Sequence, residues 1–289
     1  VEAGERIEHA LELAVQRTEA ENAPPKLRGA IRHGVFPGGA RVRPRLTLAV
    51  AQSCGDDLPG LTDAAAAAIE LLHCASLVHD DLPCFDDAET RRGRPSVHAV
   101  YSVPVALLAG DALIVLAFET LARASVEAPA RLGPLITTIA RAVGAPYGIA
   151  AGQAWESEPN PPAEQYRCAK TGALFVAATM CGAIAAGSDP TPWRRLGHRL
   201  GEAYQVADDL LDAVATAEQH GKPVGRDLAL GRPNAITELG LTGAVERLET
   251  LIREAMDAVP ACPGEEQLRE LVRLQALRLA PKRLLSSAA

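Results

Sequence analysis

Asp80-Asp81-Leu82-Pro83-Cys84-Phe85-Asp86 and Asp208-Asp209-Leu210-Leu211-Asp212 are aspartate-rich stretches set inside otherwise apolar, Ala/Leu/Val-rich runs. Carboxylates this close repel one another and resist desolvation unless something positive joins them. A hard divalent cation with oxygen ligands, shared with a phosphate-bearing substrate, meets that need. Two such clusters, far apart in sequence, suggest one cavity with metal on both walls.

The sequence around them is helical in pattern. Apolar periodicity predicts helices over 4–20, 41–53, 62–82, 98–125, 130–144, 163–187, 192–215, 241–258 and 265–279. Turns at 55–60, 158–162, 188–192 and 260–264 punctuate them, with Thr62 as a cap and Pro161-Pro162 as a helix start. Aromatics are only 3% of the 289 residues, so Ala and Leu fill the apolar positions. That favours closely packed helices over a sheet. There is no alternating strand pattern, no fixed-period repeat and no linker long enough to split the chain. The expectation is a single all-α domain over 1–289.

A net charge of −7 argues against nucleic-acid binding, which normally needs a basic face. The longest uncharged apolar stretch, roughly Gly172 to Gly187, is shorter than the ~18–20 residues of a membrane span and reads as a buried core helix. No signal-peptide pattern opens the chain. Cys54, Cys74, Cys84, Cys168, Cys181 and Cys262 form no C-x-x-C pair or zinc spacing, and read as reduced thiols packing as small hydrophobes. A soluble cytoplasmic protein is expected.

An aspartate pair alone is weak evidence. Asp56-Asp57 lies in a glycine-flanked turn and reads as solvated loop carboxylates. The other clusters carry more context. His73 and Asp80 lie nearly on one helical line, two turns apart. Pro83 interrupts the helix and can swing Asp86 back toward Asp80. Arg91-Arg92-Gly93-Arg94-Pro95 follows, and an acidic metal cluster beside a basic loop suits an anion held by metal and guanidinium forks. The bland alternative is a helix end with solvated charges. Gln205, Asp208, Asp209 and Asp212 share one helical stripe at i, i+3, i+4, i+7, for which a solvent-facing stripe is the alternative. Lys170-Thr171-Gly172 sits inside a helical run, where Lys170 could merely snorkel. Gly221-Lys222-Pro223-Val224-Gly225 is a further basic loop, and Pro37-Gly38-Gly39-Ala40-Arg41-Val42-Arg43-Pro44 a glycine-rich basic turn before a helix, suited to anions.

Taken in order, these motifs, with Ala109-Gly110-Asp111, Gly152-Gln153 and Tyr204 through Asp212, resemble the trans-isoprenyl diphosphate synthases. The run Ala151-Gly152-Gln153-Ala154-Trp155-Glu156-Ser157 is similar to a subgroup, the geranylgeranyl diphosphate synthases of the carotenoid pathway in purple phototrophic bacteria. The resemblance implies a bundle of antiparallel helices around a deep central cavity, usually a homodimer, and about three Mg²⁺ ions between the aspartate clusters and an allylic diphosphate. It matches Asp80, Asp81, Asp86, Asp208, Asp209 and Asp212 to the metal site, without requiring each to touch metal. It matches Arg91, Lys170, Thr171, Gln205 and Lys222 to the allylic diphosphate, and Arg43, His73 and Arg92 to isopentenyl diphosphate. Condensation of isopentenyl diphosphate with dimethylallyl, geranyl or farnesyl diphosphate to give geranylgeranyl diphosphate is the implied activity. Small residues Ala75 and Ser76, where shorter-chain relatives place an aromatic, imply a floor open to a twenty-carbon tail.

Some positions depart from the family pattern. Ala40 stands where the family pattern usually has Lys, a change the resemblance suggests the purple-bacterial subgroup shares, and Arg41 is expected to compensate. The acidic run after Asp86 is shortened to Asp87 and Ala88, and Arg226 and Arg232 stand where Lys is common. Three other readings compete: a farnesyl diphosphate synthase, a class I terpene cyclase, whose second metal motif usually mixes Asn, Ser/Thr and Glu, and a non-catalytic regulatory subunit, which commonly lacks one aspartate motif.

Overall fold

The structure, a computed structural model, describes residues 2–214 and 234–279. Its chain packs as two compact units, Val1–Ile139 with Cys181–Asp189 and Ala140–Met180 with Pro190–Ala289. Among the described residues both are helical, apart from one two-stranded hairpin in the first.

The first unit contains α1 (Ala3–Gln16), α2 (Pro25–Val35), α3 (Val42–Cys54), α4 (Pro59–Asp80), the strands β1 (Thr90–Arg91) and β2 (Arg94–Pro95), α5 (Val97–Tyr101), α6 (Val103–Ala124) and most of α7 (Pro129–Val143). Its centre is α4, whose run Ala64–Ala68 is buried along with Ile69, Leu71 and Leu72. Such small side chains let neighbouring helices approach closely. α4 starts at Pro59, three residues before the expected cap. Thr62 instead donates its hydroxyl to Asp56 Oδ1. Asp57 takes a two-pronged bond from Arg131, at 2.7 and 2.6 Å, and the same guanidinium donates to Ala185 O. Asp56 is thus drawn into the fold, whereas Asp57 remains a solvent-exposed loop carboxylate that also pairs with Arg131.

In this unit α2 and the hairpin lie outside the expected helices. α2 is amphipathic, but Gly29 and Gly34 look like breakers. Both are contact points: a Cβ on Gly29 would lie 2.8 Å from the Tyr101 hydroxyl, and one on Gly34 3.0 Å from Val78. The hairpin pairs Thr90 with Pro95 and Arg91 with Arg94. Its turn residues Arg92 (φ 54°) and Gly93 (φ 73°) both take positive φ, as the favoured two-residue hairpin turn requires. Two-residue strands are too short to show alternation.

The second unit contains α8 (Ile149–Ala154), α9 (Ala163–Arg167), a π-helical turn (Cys168–Gly172), residues 173–180 of α10 (Ala173–Ala185), α11 (Arg194–Val214), α12 (Ala235–Asp257) and α13 (Glu265–Leu279). α8 was not expected. Pro162 caps α9 at the predicted start. α12 is broken at Gly240, whose φ of 70° leaves the helical region. α11 buries Ala203, Ala207 and Leu210 against Ala235, Ala244, Leu248 and Leu251 of α12. The opposite side of α11 carries the polar stripe.

Length and composition alone would let three helical stretches cross a membrane: Pro59–Asp80, Val103–Glu127 and Ala163–Ala185. This corrects the expectation that no stretch is long enough. A few charges near the ends, such as Glu119 and Arg167, are diluted by long apolar runs. The first and last are largely packed inside the fold, whereas Val103–Glu127 is only 44% buried.

Candidate active site

The first aspartate motif is shaped by the end of α4. Pro83 has no N–H to continue the helix, and the chain turns back on itself. Asp86 N–H donates to Asp80 O at 2.9 Å, Asp87 N–H to Leu82 O and Ala88 N–H to Asp81 O, both at 3.1 Å. The loop brings carboxylate oxygens of Asp80 and Asp86 within 4.8 Å of each other. A pair of anionic oxygens converging in this way can hold a hard divalent cation. Asp81 points elsewhere. Only 3% exposed, it accepts both Nε–H (2.8 Å) and Nη2–H of Arg91. Arg91 Nη2 also lies 3.7 Å from Asp80 Oδ2. Burial works against both charges and raises the Asp81 carboxyl, while Asp81 in turn raises the Arg91 pKa; the paired Nε–H and Nη2–H bonds onto one carboxylate oxygen make the contact an ion pair. The helix end with solvated charges does not describe this geometry.

Beside it lies an anion cradle. Arg43, on the first turn of α3, and Arg92, on the hairpin turn, each place a guanidinium nitrogen 3.4 Å from His73 Nε2. Burial and the neighbouring arginines, Arg43 first, hold the His73 pKa well below its usual 6.5. The imidazole is therefore neutral, and its Nε2 lone pair accepts from the guanidiniums. Two cations so oriented suit a diphosphate. Arg94 locks the hairpin to α2: Nη1 donates to Phe36 O at 2.8 Å, and His33 Nε2 lies 2.8 Å from Pro95 O. A cavity of about 90 Å³ opens here, lined by Gly38, Asp81, Arg91, Arg92 and Arg94 among others.

Arg41 does not belong to the lining. Its side chain is 3% exposed and engaged on all sides. Nε donates to Glu8 Oε1 (2.8 Å), Nη1 to Glu70 Oε1 (2.7 Å) and Nη2 to Val35 O (2.8 Å). The expectation that Arg41 replaces the Lys missing at Ala40 as an anion ligand is therefore corrected. The guanidinium faces the fold because two carboxylates and a carbonyl claim it there.

In the second unit, Lys170 and Thr171 lie in the π-helical turn, which leaves room for α8: a Cβ on Gly152 would sit 2.4 Å from Lys170 N. Lys170 Nζ donates to Glu156 Oε1, which also accepts the Tyr166 hydroxyl at 2.7 Å. Gln153 Nε2 bonds the other Glu156 oxygen at 3.0 Å. Lys170 is held, not snorkelling. Thr171 Oγ1 donates to Gln205 Oε1 (2.8 Å), and Gln205 Nε2 donates to Asp209 Oδ1 (3.1 Å). Asp209 Oδ2 accepts the Ala235 N–H that opens α12, at 2.7 Å. Burial pushes the Asp209 carboxyl up to about 6, against the pull of these donors. Asp209 and Asp212 are 4% and 9% exposed and Asp208 is half-buried, so the stripe does not face solvent.

Within the first unit the structure brings together Asp80 with Asp86, Asp81 with Arg91, and Arg43, His73 and Arg92. Within the second it brings together Lys170 with Glu156, and Thr171, Gln205 and Asp209. Ala75 is buried in α4, and Ser76 donates to His73 O. Lys222, Arg226 and Arg232 lie outside the described residues. Sequence reasoning missed Glu156 and Tyr166 as partners of Lys170. The i, i+3 spacing of Gln153 and Glu156 and the i, i+4 spacing of Tyr166 and Lys170 were the available signals.

Comparison with known proteins places the chain in a family. The polyprenyl synthetase family pattern matches residues 24–272. Over 277 residues the chain is 55% identical to the geranylgeranyl diphosphate synthase of Cereibacter sphaeroides, covering 96% of each. It is 51% identical to that of Rhodobacter capsulatus, covering 95% of each. Among solved structures, geranylgeranyl pyrophosphate synthetase from Pyrococcus horikoshii matches with a TM-score of 0.79 at 30% identity, covering 94% of this chain and 96% of that one. Geranyltransferase from Helicobacter pylori, complexed with magnesium and isoprenyl diphosphate, matches with a TM-score of 0.79 at 28% identity and the same coverages. An all-α chain with two aspartate motifs, matched along nearly its whole length, belongs to the polyprenyl synthetase family.

Proposed function

We propose that the chain is a Mg²⁺-dependent geranylgeranyl diphosphate synthase, condensing isopentenyl diphosphate head-to-tail with an allylic diphosphate. The observation that carries the reading is the return of Asp86 onto Asp80 beside an Asp81-anchored Arg91. This puts oxygen ligands for a cation next to a cation for phosphate. Identity of 55% to a geranylgeranyl diphosphate synthase supports the product class.

Asp80 and Asp86 of the first unit, and Asp208 and Asp212 of the second, would hold Mg²⁺, about three ions, when the diphosphate is bound. Asp81 and Asp209 serve the site by orienting Arg91 and the start of α12. Magnesium, when bound, supplies Lewis-acid stabilisation to the departing diphosphate. Arg91, Lys170, Thr171, Gln205 and Lys222 hold that diphosphate as the allylic carbon–oxygen bond breaks and positive charge develops on the prenyl chain. Arg43, His73 and Arg92 hold isopentenyl diphosphate so that its double bond attacks the allylic carbon. The new bond forms, a proton is lost from the adjacent carbon, and the released diphosphate takes it. The apolar walls keep water from quenching the cation. No nucleophilic side chain is needed.

Ala75, with Ser76, forms the floor that sets product length. Ala75→Tyr should shorten the product to farnesyl diphosphate, and an unchanged product profile would remove the assignment. The single domain over 1–289, the cytoplasmic location and the supply of carotenoid precursors belong to the same reading.

A homodimer is part of it too. α6 buries Ala106, Ala109, Leu113 and Ala117 on one side and exposes Leu107 (47%), Leu108 (54%) and Val115 (66%) on the other. An uncovered side rich in large apolar residues, broken by the exposed Asp111, suits a second copy of the chain. It is that copy, not lipid, that covers the face. Light scattering on the purified protein should give twice the chain mass, and Val115→Glu should shift it toward the monomer.

The reading is tested by giving the purified chain, with no partner protein, isopentenyl diphosphate and each of the dimethylallyl, geranyl and farnesyl diphosphates. Elongation that stops on chelation of Mg²⁺ is expected. No elongation of any of them would favour the regulatory-subunit reading.

A further inference from the structure

The buried Arg41 is a side chain that the reaction does not use, yet it is held by three partners. It precedes α3 in the left-handed region (φ 50°), a conformation that non-glycine residues adopt only when their surroundings enforce it. The enforcing contacts come from three helices. Glu8 of α1, Glu70 of α4 and Val35 O at the end of α2 all bind its guanidinium. Burial works against its charge, yet Glu8 and Glu70 raise its pKa, so it stays a cation. Glu70 is itself 1% exposed, so the pair is desolvated on both sides. Breaking a buried pair leaves an uncompensated charge behind.

The geometry around the pair concerns the anion cradle. Gly38 lies flat on the Arg41 guanidinium, where a Cβ would come within 1.9 Å of Arg41 Cζ. Gly39, the next residue, lies on the Arg92 guanidinium, where a Cβ would come within 2.7 Å of Arg92 Cζ. The glycine turn is thus sandwiched between an inner, buried arginine and an outer, exposed one. Two residues after Arg41, Arg43 reaches toward His73 Nε2, and Arg92 reaches the same atom. Whatever fixes Arg41 also fixes the seat of Arg92 and the start of the helix that carries Arg43.

We propose that Arg41, clamped by Glu70 and Glu8, is a positioning residue that sets the spacing of Arg43 and Arg92 around His73, and so the affinity for isopentenyl diphosphate, without touching it. This rests on the reading of the cradle as the isopentenyl diphosphate site. It gives the Gly38-Gly39 pair and the Arg41 network one purpose. With an uncharged Ala40 beside them, two arginines and a neutral histidine must bind the anion through placement.

The test is steady-state kinetics on Glu70→Gln, Arg41→Lys and Glu8→Gln, with both substrates varied. Displacing the two cradle arginines by a fraction of an ångström should raise KM for isopentenyl diphosphate about tenfold in Glu70→Gln, with kcat and the allylic KM within about twofold of wild type. Arg41→Lys should not rescue, because an ammonium cannot hold three acceptors in the plane of a guanidinium. Glu8→Gln alters a carboxylate 48% exposed in its side chain, should fold normally, and should raise the same KM about two- to threefold. A direct substrate contact predicts instead that Glu70→Gln leaves KM unchanged or lowers it and that Arg41→Lys retains it; that pattern overturns the proposal. Lower melting temperatures with every KM unchanged would overturn it too, by reducing Arg41 to a stabilising residue. If the wild-type chain itself fails to elongate, the functional reading fails first.

Discussion

The two aspartate motifs reach similar chemistry by different routes. In the first, a proline ends the helix and a loop of backbone hydrogen bonds folds Asp86 onto Asp80. In the second, the helix runs on, and the 3.6-residue repeat alone aligns Asp208, Asp209 and Asp212. Each motif turns the second aspartate of its pair into the fold, but the partners differ. Asp81 meets a guanidinium, whereas Asp209 meets a backbone N–H and a glutamine amide. A charged partner needs a charged carboxylate. A backbone N–H is satisfied by any oxygen acceptor. The same pair of letters thus has two physical meanings, and substitutions at matched positions should separate them.

The largest effect should come from the convergent pair. Asp80→Asn or Asp86→Asn should lower kcat by about a thousandfold or more, since each removes a ligand whose stabilisation is worth several kcal/mol in the transition state. An activity loss below about tenfold at saturating Mg²⁺ would break the assignment of these two as metal ligands.

Asp81→Asn is next. It strands Arg91 opposite a neutral amide and should cost about 3 kcal/mol in denaturant unfolding, with a raised KM for the allylic substrate. Asp209→Asn should differ sharply. The amide oxygen can still accept from Ala235, but its NH2 then meets the Gln205 Nε2–H donor, so one neutral hydrogen bond is lost and no charge is stranded. Its unfolding free energy should fall by about 1 kcal/mol, and that of Asp209→Ala by about 2 kcal/mol, since the alanine leaves both the Gln205 and the Ala235 donors unpaired. Equal losses in Asp81→Asn and Asp209→Asn would erase the distinction.

The smallest effect concerns the cradle. His73 is held neutral in the fold but titrates near 6.5 when unfolded. The unfolded chain then binds more protons, so this contribution is complete above pH 6.5 and is lost as pH falls below it. The slope should approach about 1 kcal/mol per pH unit between pH 6 and 5, and His73→Gln should flatten it. An unchanged slope would show that His73 is charged in the folded protein.

Much of this was legible in the sequence because it is local. Asp208 to Asp212 lie on one helix, and Pro83 announces the return of Asp86. The ordered motifs pointed to the family from residues alone. What was not legible depends on distant partners or on backbone signs that no spacing reveals. Arg41 read as an anion ligand beside Arg43. Its inward turn follows from a positive φ and from Glu8 and Glu70, 33 and 29 residues away. Asp81 and Asp209 read as members of a metal set because repulsion between neighbours is visible in sequence, whereas Arg91 and the Ala235 amide as their private partners are not. α2 was lost because glycines that serve as contact points look like breaks.

The most direct measurement is the mass of the prenyl alcohol released by dephosphorylation after the purified chain is incubated with Mg²⁺, isopentenyl diphosphate and farnesyl diphosphate. Geranylgeraniol as the main product is the predicted result. Recovery of farnesol alone, with isopentenyl diphosphate unconsumed, would contradict the assignment of both aspartate motifs to one twenty-carbon synthase.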